Sequence, residues 1–246
     1  AGNLPLYAGV KDKTPIYIHA LINTFYIQSA WRIVGGGDCI AASLADSIKK
    51  AGGEIFTSAK VVSVKCNDTC AEAVVLDDGR RFEAKSFISN IHPQNLLGLI
   101  DETRLIRKAY KDRIMSLDNT TSCFTVYLKF KDGMMPYLNH NYYYYKNPDV
   151  WSALDYEEET YPGTFVYMHQ CHEENPKYAK GAELIGYMKW SEVIKWENTC
   201  IGHRGDDYKQ FKKEKAEQMI NRLEECFPGT KAAIESYVTS SPLTYR

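Results

Sequence analysis

The spacing of hydrophobic positions changes from helical to strand-like in the first part of the chain. Between Ile40 and Ile48 apolar residues recur at helical spacing, which predicts an amphipathic helix. A glycine triplet before this helix suits a tight entry turn, and Gly52-Gly53 after it are typical of a C-cap. Short β-type segments are predicted to follow, at residues 54–57, 61–64, 73–76, 81–84 and 86–89.

The remaining residues predict a second group of strands with helices beside them. Alternating apolar and polar positions predict strands at residues 122–130, 141–145, 164–169, 183–189 and 234–239. Helical patterns cover residues 101–114 and 206–226, and a Phe-Pro-Gly sequence ends the second helix. Strands connected mostly as neighbours favour an antiparallel sheet with helices on one side. The predicted fold class is therefore α+β.

The ordered segments between Pro15 and Pro93 resemble a known enzyme family. GGGDCIAASLADSIKKAGGEI, KVVSV and VVLDDGRRFEAKSFISN are similar to segments of the phytoene desaturase family of FAD-dependent oxidoreductases, which includes carotenoid isomerases and retinol saturases. The resemblance resumes weakly at Ala233–Arg246. It implies a piece of an α/β-type FAD-binding fold joined to an antiparallel-sheet substrate domain. The implied FAD segment is 33–95, the substrate domain is 1–32 with 96–235, and a return strand is 236–246.

The same resemblance implies which residues contact FAD. In the family, the strand that matches residues 60–64 places its backbone against the adenine, and Val61 is the matching position. The segment ending in Ser89 and Asn90 runs beside the cofactor, and Gly35 and Gly36 let the backbone approach closely. The flavin carries the hydride chemistry in such enzymes, while the protein positions the substrate and excludes water. No catalytic residue is therefore assigned.

The chain departs from the family pattern at its dinucleotide fingerprint. The family begins with a strand and G-x-G-x-x-G, whereas the nearest approach here has Ile40 in place of the third glycine. We therefore expect an internal piece of a longer flavoprotein, inactive alone and unable to hold FAD tightly. The implied substrate is an apolar isoprenoid or lipid-like alkene. A non-catalytic module that binds apolar ligands and a flavin amine oxidase remain as alternatives.

Charge and cysteine content restrict the partners and the compartment. A net charge of -1 and a pI near 6.7 argue against a nucleic-acid partner. Seven scattered cysteines favour a reducing compartment, so a cytoplasmic location is predicted. The polar side chains within residues 15–34 favour a core helix over a membrane span, with peripheral membrane contact as the alternative.

Three further patterns favour structural roles over functional ones. The HQCH sequence at residues 169–172 matches no standard zinc spacing, so no metal site is predicted. The tyrosine-rich segment 142–145 favours an ordinary half-buried sheet over an aromatic wall for a polyene. The alternating charges of residues 209–217 favour a solvated helix face.

Overall fold

A computed structural model describes residues 11–29, 31–101, 103–117, 121–172 and 174–245. The helices are α1 (Ile16–Gln28), α2 (Asp38–Lys50), α3 (Pro93–Leu99), α4 (Lys108–Met115), α5 (Asp206–Cys226) and α6 (Thr230–Ala233). The strands are β1 (Val61–Cys66), β2 (Ala71–Leu76), β3 (Arg81–Glu83), β4 (Ser122–Phe130), β5 (Tyr142–Tyr145), β6 (Thr164–Cys171), β7 (Ala179–Met188) and β8 (Ile234–Ser240). The chain forms a large unit (Ala1–Ile40 with Thr120–Arg246) and a small unit (Ala41–Asn119).

The small unit is built on an antiparallel sheet with the strand order β1-β2-β3. The β2–β3 hairpin closes where the Leu76 N–H donates to the Arg80 carbonyl at 2.9 Å. Gly79 lies in this turn with a φ of 87°, a conformation that disfavours other residues. Strand β1 is an edge strand, and the Val64 carbonyl on its outer edge accepts the Asp101 N–H at 3.1 Å.

The large unit contains a five-stranded antiparallel sheet with the order β5-β6-β7-β4-β8. One face of this sheet, the inner face, packs against α5, where Met219 and Leu223 are completely buried. Gly186 allows this close approach, because a Cβ there would lie 3.1 Å from the Met219 Cε. The inner face and α5 together form the hydrophobic core.

The α+β fold class is confirmed, and two long elements have the predicted bounds. Strand β4 and helix α5 begin and end where the hydrophobic pattern placed them. The helix predicted at residues 101–114 is shorter and begins only at Lys108, because the preceding Arg107 has an extended backbone. The division into an FAD segment and a substrate domain remains a prediction.

Two predicted strands and the burial of α1 are wrong. Residues 54–57 and 86–89 are irregular, and Ile88 is fully exposed, since no described segment pairs with either of them. Helix α1 buries only Ile22, whereas Phe25 and Ile27 are 70% and 84% exposed. It is therefore not a core helix. Within the described ranges, no helix is long and apolar enough to cross a membrane.

Candidate functional site on the outer sheet face

The second face of the large sheet, the outer face, faces away from α5. Successive side chains of a strand point to opposite faces of a sheet. The residues that alternate with the core residues along β4, β6 and β7 therefore lie on the outer face. The strand register aligns them in rows across the sheet. One row contains Tyr143, Val166, Ile185, Thr125 and Ser240, and the next contains Tyr145, Thr164, Tyr187 and Cys123.

The outer face has a charged end and an apolar end. At the charged end, the Lys129 ammonium lies 2.9 Å from the Glu235 carboxylate. Gln170 donates to Glu183 at 3.1 Å in the same region. At the other end Val166 is buried and Ile185 is half-buried, and neither carries a polar group. Only the apolar end is suited to contact an extended apolar ligand.

A cluster of hydroxyl groups borders the apolar end. The Tyr245 hydroxyl lies 3.1 Å from the Thr125 Oγ1 and 3.4 Å from the Tyr127 hydroxyl. Burial raises the pKa of Tyr245 to about 12. The phenol is therefore protonated at neutral pH and can donate a hydrogen bond, but it cannot serve as a general base.

Helix α1 lies near the apolar end of the outer face. Burial raises the pKa of Tyr145, and the nearby Tyr26 of α1 contributes to the same shift. At the end of the segment that follows, the Arg32 guanidinium donates to the His169 carbonyl at 2.5 Å and also bonds the Asn141 side chain. Arg32 thus anchors the residues just before the glycine triplet to the large sheet.

His169, from the HQCH sequence, is a core residue on the inner face. Its Nδ1 accepts the Leu138 backbone N–H at 3.1 Å, and its Nε2 lies 2.5 Å from the Tyr167 hydroxyl. Because Nδ1 is an acceptor, Nε2 carries the proton and donates to Tyr167. Burial, followed by the charge of Arg32, lowers the pKa of His169 to about 4. The imidazole is therefore neutral and both nitrogens are occupied.

This histidine should make folding stability depend on pH. The folded pKa of His169, about 4, lies below the value of 6.5 expected in the unfolded chain, so the unfolded state binds the proton more strongly. Its contribution is complete above about pH 6.5 and decreases by about 3 kcal/mol in total as the pH falls toward 4. Urea unfolding between pH 7 and 4 measures this loss.

The matched comparison for this prediction uses two glutamine variants. His169→Gln should show a shallower loss of unfolding free energy than the wild type over the same pH range. His203→Gln, at an exposed position, should retain the wild-type pH dependence. Identical curves for His169→Gln and the wild type would contradict the assignment of the depressed pKa.

A buried polar network lies beside the inner face, and the sequence analysis missed it. The Lys215 ammonium is 2.8 Å from the Glu192 carboxylate, in ion-pair contact without the angle of a hydrogen bond. The Tyr156 hydroxyl donates to Glu192 at 2.5 Å and accepts the Lys189 N–H at 3.0 Å. Lys215 is only 2% exposed, so the prediction of a solvated helix face is wrong at this position.

The five residues that were predicted to contact FAD lie in both units. Gly35 and Gly36, in the large unit, have φ values of 87° and 82° and form the turn before α2. In the small unit, Val61 begins the edge strand β1, and Ser89 and Asn90 are exposed in an irregular segment. The glycine turn is confirmed, and the cofactor contacts remain predictions.

Comparison with known proteins relates the chain to two kinds of enzyme, an isomerase and a reductase. No family model matches it. It is 27% identical to a chloroplastic prolycopene isomerase of Arabidopsis thaliana over 87% of this chain and 34% of that protein. It is 24% identical to an all-trans-retinol 13,14-reductase of Rattus norvegicus over 98% of this chain and 43% of that protein. The chain is thus similar, at low identity, to a prolycopene isomerase and to a retinol reductase. It spans between a third and a half of the length of these relatives.

The described residues fit one part of FAD, the cofactor that the sequence resemblance implies. The outer edge of β1, as far as it is described, is paired only at Val64. The remaining backbone N–H and C=O groups near Val61 can bond the edge of a flat heterocycle such as adenine. A Cβ on Gly36 would meet nothing within 4 Å, so this turn requires glycine for its φ rather than for space. Of the FAD molecule, only the adenine therefore has matching groups in these residues, and these are the backbone groups of β1.

The small unit contains an open cleft whose charged lining does not suit an apolar ligand. Its volume is about 800 Å³, and Arg104, Lys108 and Lys111 line it. Asp101, also in the cleft wall, pairs with Lys65 at 2.9 Å. An apolar chain bound there would remove the three basic side chains from water without supplying a partner for them, at a large cost in free energy. The outer sheet face is therefore the better candidate for binding an apolar ligand.

Proposed function

We propose that the chain is part of an FAD-dependent oxidoreductase that acts on an apolar isoprenoid polyene. The prolycopene isomerase and the retinol reductase that it resembles carry polyene substrates in their names. The observation that carries the proposal is the apolar end of the outer sheet face, where Val166 and Ile185 lie among tyrosine side chains. A long apolar ligand that covers the half-buried Ile185 gains free energy in proportion to the apolar surface that it removes from water there.

The proposed role of the chain is to bind and orient the substrate. The rigid five-stranded sheet holds the side chains of its outer face in fixed positions, because α5 fills its inner face. Val61, Ser89, Asn90, Gly35 and Gly36 are the proposed contacts for the cofactor. Bound FAD would supply the hydride transfer. Burial raises the pKa of Tyr145, Tyr187 and Tyr245, so these three phenols keep their protons, and the apolar side chains exclude water from the polyene.

The test begins with the complete gene product. We expect flavin to be released when the purified protein is denatured, and chromatography identifies it. Incubation with all-trans-retinol and with a cis-polyene hydrocarbon, followed by chromatography, should reveal a reduced or isomerised product from at least one of them. A protein that binds a polyene without flavin or turnover would favour the apolar-ligand-binding module. Oxidation of an amine substrate instead would favour the amine oxidase.

A further inference from the structure

Tyr187 on the outer face carries a buried hydroxyl that lacks a partner. Its side chain is 9% exposed, and its hydroxyl makes no hydrogen bond within the described part of the chain. Burial raises its pKa far above the usual value, with smaller contributions from the neighbouring Tyr145 and Cys123. The phenol therefore remains protonated, and its O–H is shielded from bulk solvent without a protein acceptor among the described residues. Such groups are rare in folded proteins, because they are costly to bury.

Four other hydroxyls of this face have partners. Tyr127, Thr125 and Tyr245 lie within hydrogen-bond distance of one another, and Thr164 donates to the Tyr144 carbonyl at 2.6 Å. Among the described residues of this face, Tyr187 thus carries the one buried hydroxyl that has no partner. Its row across the sheet lies next to the apolar side chains Val166 and Ile185. A single donor beside an apolar surface matches a ligand that is apolar except for one oxygen.

We propose that Tyr187 binds the oxygen of an oxygenated polyene, an alcohol or aldehyde of the retinoid type, in preference to a hydrocarbon. This inference rests on the proposed function, because it specifies which polyene the same face selects. The two kinds of relative differ on this point, since retinol carries a hydroxyl group and prolycopene is a hydrocarbon. A site built to bond a substrate oxygen discriminates against the analogue that lacks it.

The ligand oxygen must displace neighbouring side chains in order to reach Tyr187, because the Tyr187 hydroxyl is shielded from solvent. Helix α1 lies near this end of the sheet, where Tyr26 contributes to the pKa of Tyr145. Of its thirteen residues only Ile22 is buried. Little buried surface therefore holds α1 in place, and a small shift of the helix would be inexpensive.

The experiment measures the affinity of the complete gene product for two matched ligands. These are all-trans-retinol and the same polyene with hydrogen in place of the hydroxyl group, and quenching of protein fluorescence reports binding. The wild type should bind the alcohol about tenfold more tightly, which corresponds to one good hydrogen bond. Tyr187→Phe should reduce this preference to about twofold or less, while affinity for the hydrocarbon stays the same.

The control is Tyr127→Phe, which removes a hydroxyl from the same face that already has a partner. It should keep the preference for the alcohol. Thermal stability provides the second measurement: Tyr187→Phe should not lower it, because the lost hydroxyl had no partner.

Equal wild-type affinity for the two ligands, or an unchanged preference in Tyr187→Phe, would overturn the role of Tyr187 and leave the polyene function standing. Binding of neither ligand by the wild type would overturn both.

Discussion

Replacement of Lys215 by methionine is expected to lower the free energy of unfolding by about 3 kcal/mol. The lysine side chain is 3% exposed and its ammonium lies 2.8 Å from a Glu192 carboxylate that is itself 13% exposed. Methionine fills the space of the aliphatic stem but leaves the carboxylate without its counter-ion. The Tyr156 hydroxyl still donates to Glu192, which compensates only part of this loss. Urea unfolding followed by circular dichroism measures the change.

Two further variants separate the ion pair from the loss of packing. In the double variant that combines Lys215→Met with Glu192→Gln, the amide oxygen of the new glutamine still accepts from Tyr156 and no unpaired charge remains. Most of the stability lost in Lys215→Met should therefore return. Lys213→Met on the same helix removes an exposed charge that lies 3.9 Å from Glu217, and it should change stability by less than about 0.5 kcal/mol. If the double variant were no more stable than Lys215→Met, the cost would come from packing rather than from the unpaired charge.

Replacement of Ile185 by aspartate should weaken polyene binding by at least about a hundredfold. The side chain lies in the centre of the apolar end, on a strand with neighbours on both sides. A bound polyene would cover the new carboxylate and remove it from water without a partner. Ile185 is only half-buried in the free protein, so the fold should tolerate the change better than ligand binding does. Fluorescence titration with all-trans-retinol measures the affinity.

The control for this variant introduces the same charge at the other end of the outer face. Ser236→Asp places a carboxylate opposite Lys129 on the neighbouring strand, at an exposed position. It should bind the polyene with wild-type affinity. Circular dichroism establishes that both variants are folded. Equal affinity of Ile185→Asp and the wild type would show that the ligand binds elsewhere.

The elements that could be predicted from the sequence are those set by local pattern. Helix α5 follows from its periodicity and its Phe-Pro-Gly end, and β4 follows from strict alternation. The irregular segment around Ile88 shows the limit of this approach, because an apolar run forms a strand only when another strand pairs with it. The pattern of α1 indicated a helix correctly, but the pattern alone did not indicate which side chains the fold would bury.

The candidate site is formed by the order of the strands in the large sheet, which the hydrophobic pattern of the sequence does not reveal. The tyrosine-rich segment 142–145 is conspicuous in the sequence, but alternation sends Tyr142 and Tyr144 to the inner face. Tyr187 and Tyr245 come from distant parts of the chain, and the strand order brings them to the same surface. Lys215 was missed for a similar reason, since its partner Glu192 lies outside its helix.

The most direct test of the account is to map where a polyene binds. An isoprenoid alcohol carrying a photoreactive diazirine would be crosslinked to the complete gene product, and labelled peptides would be identified by mass spectrometry. We predict labels on the peptides that contain β4 and β7, with competition by all-trans-retinol and loss of labelling in Ile185→Asp. Labels confined to the small unit, or labelling that retinol does not reduce, would contradict the assignment of the outer sheet face as the substrate site.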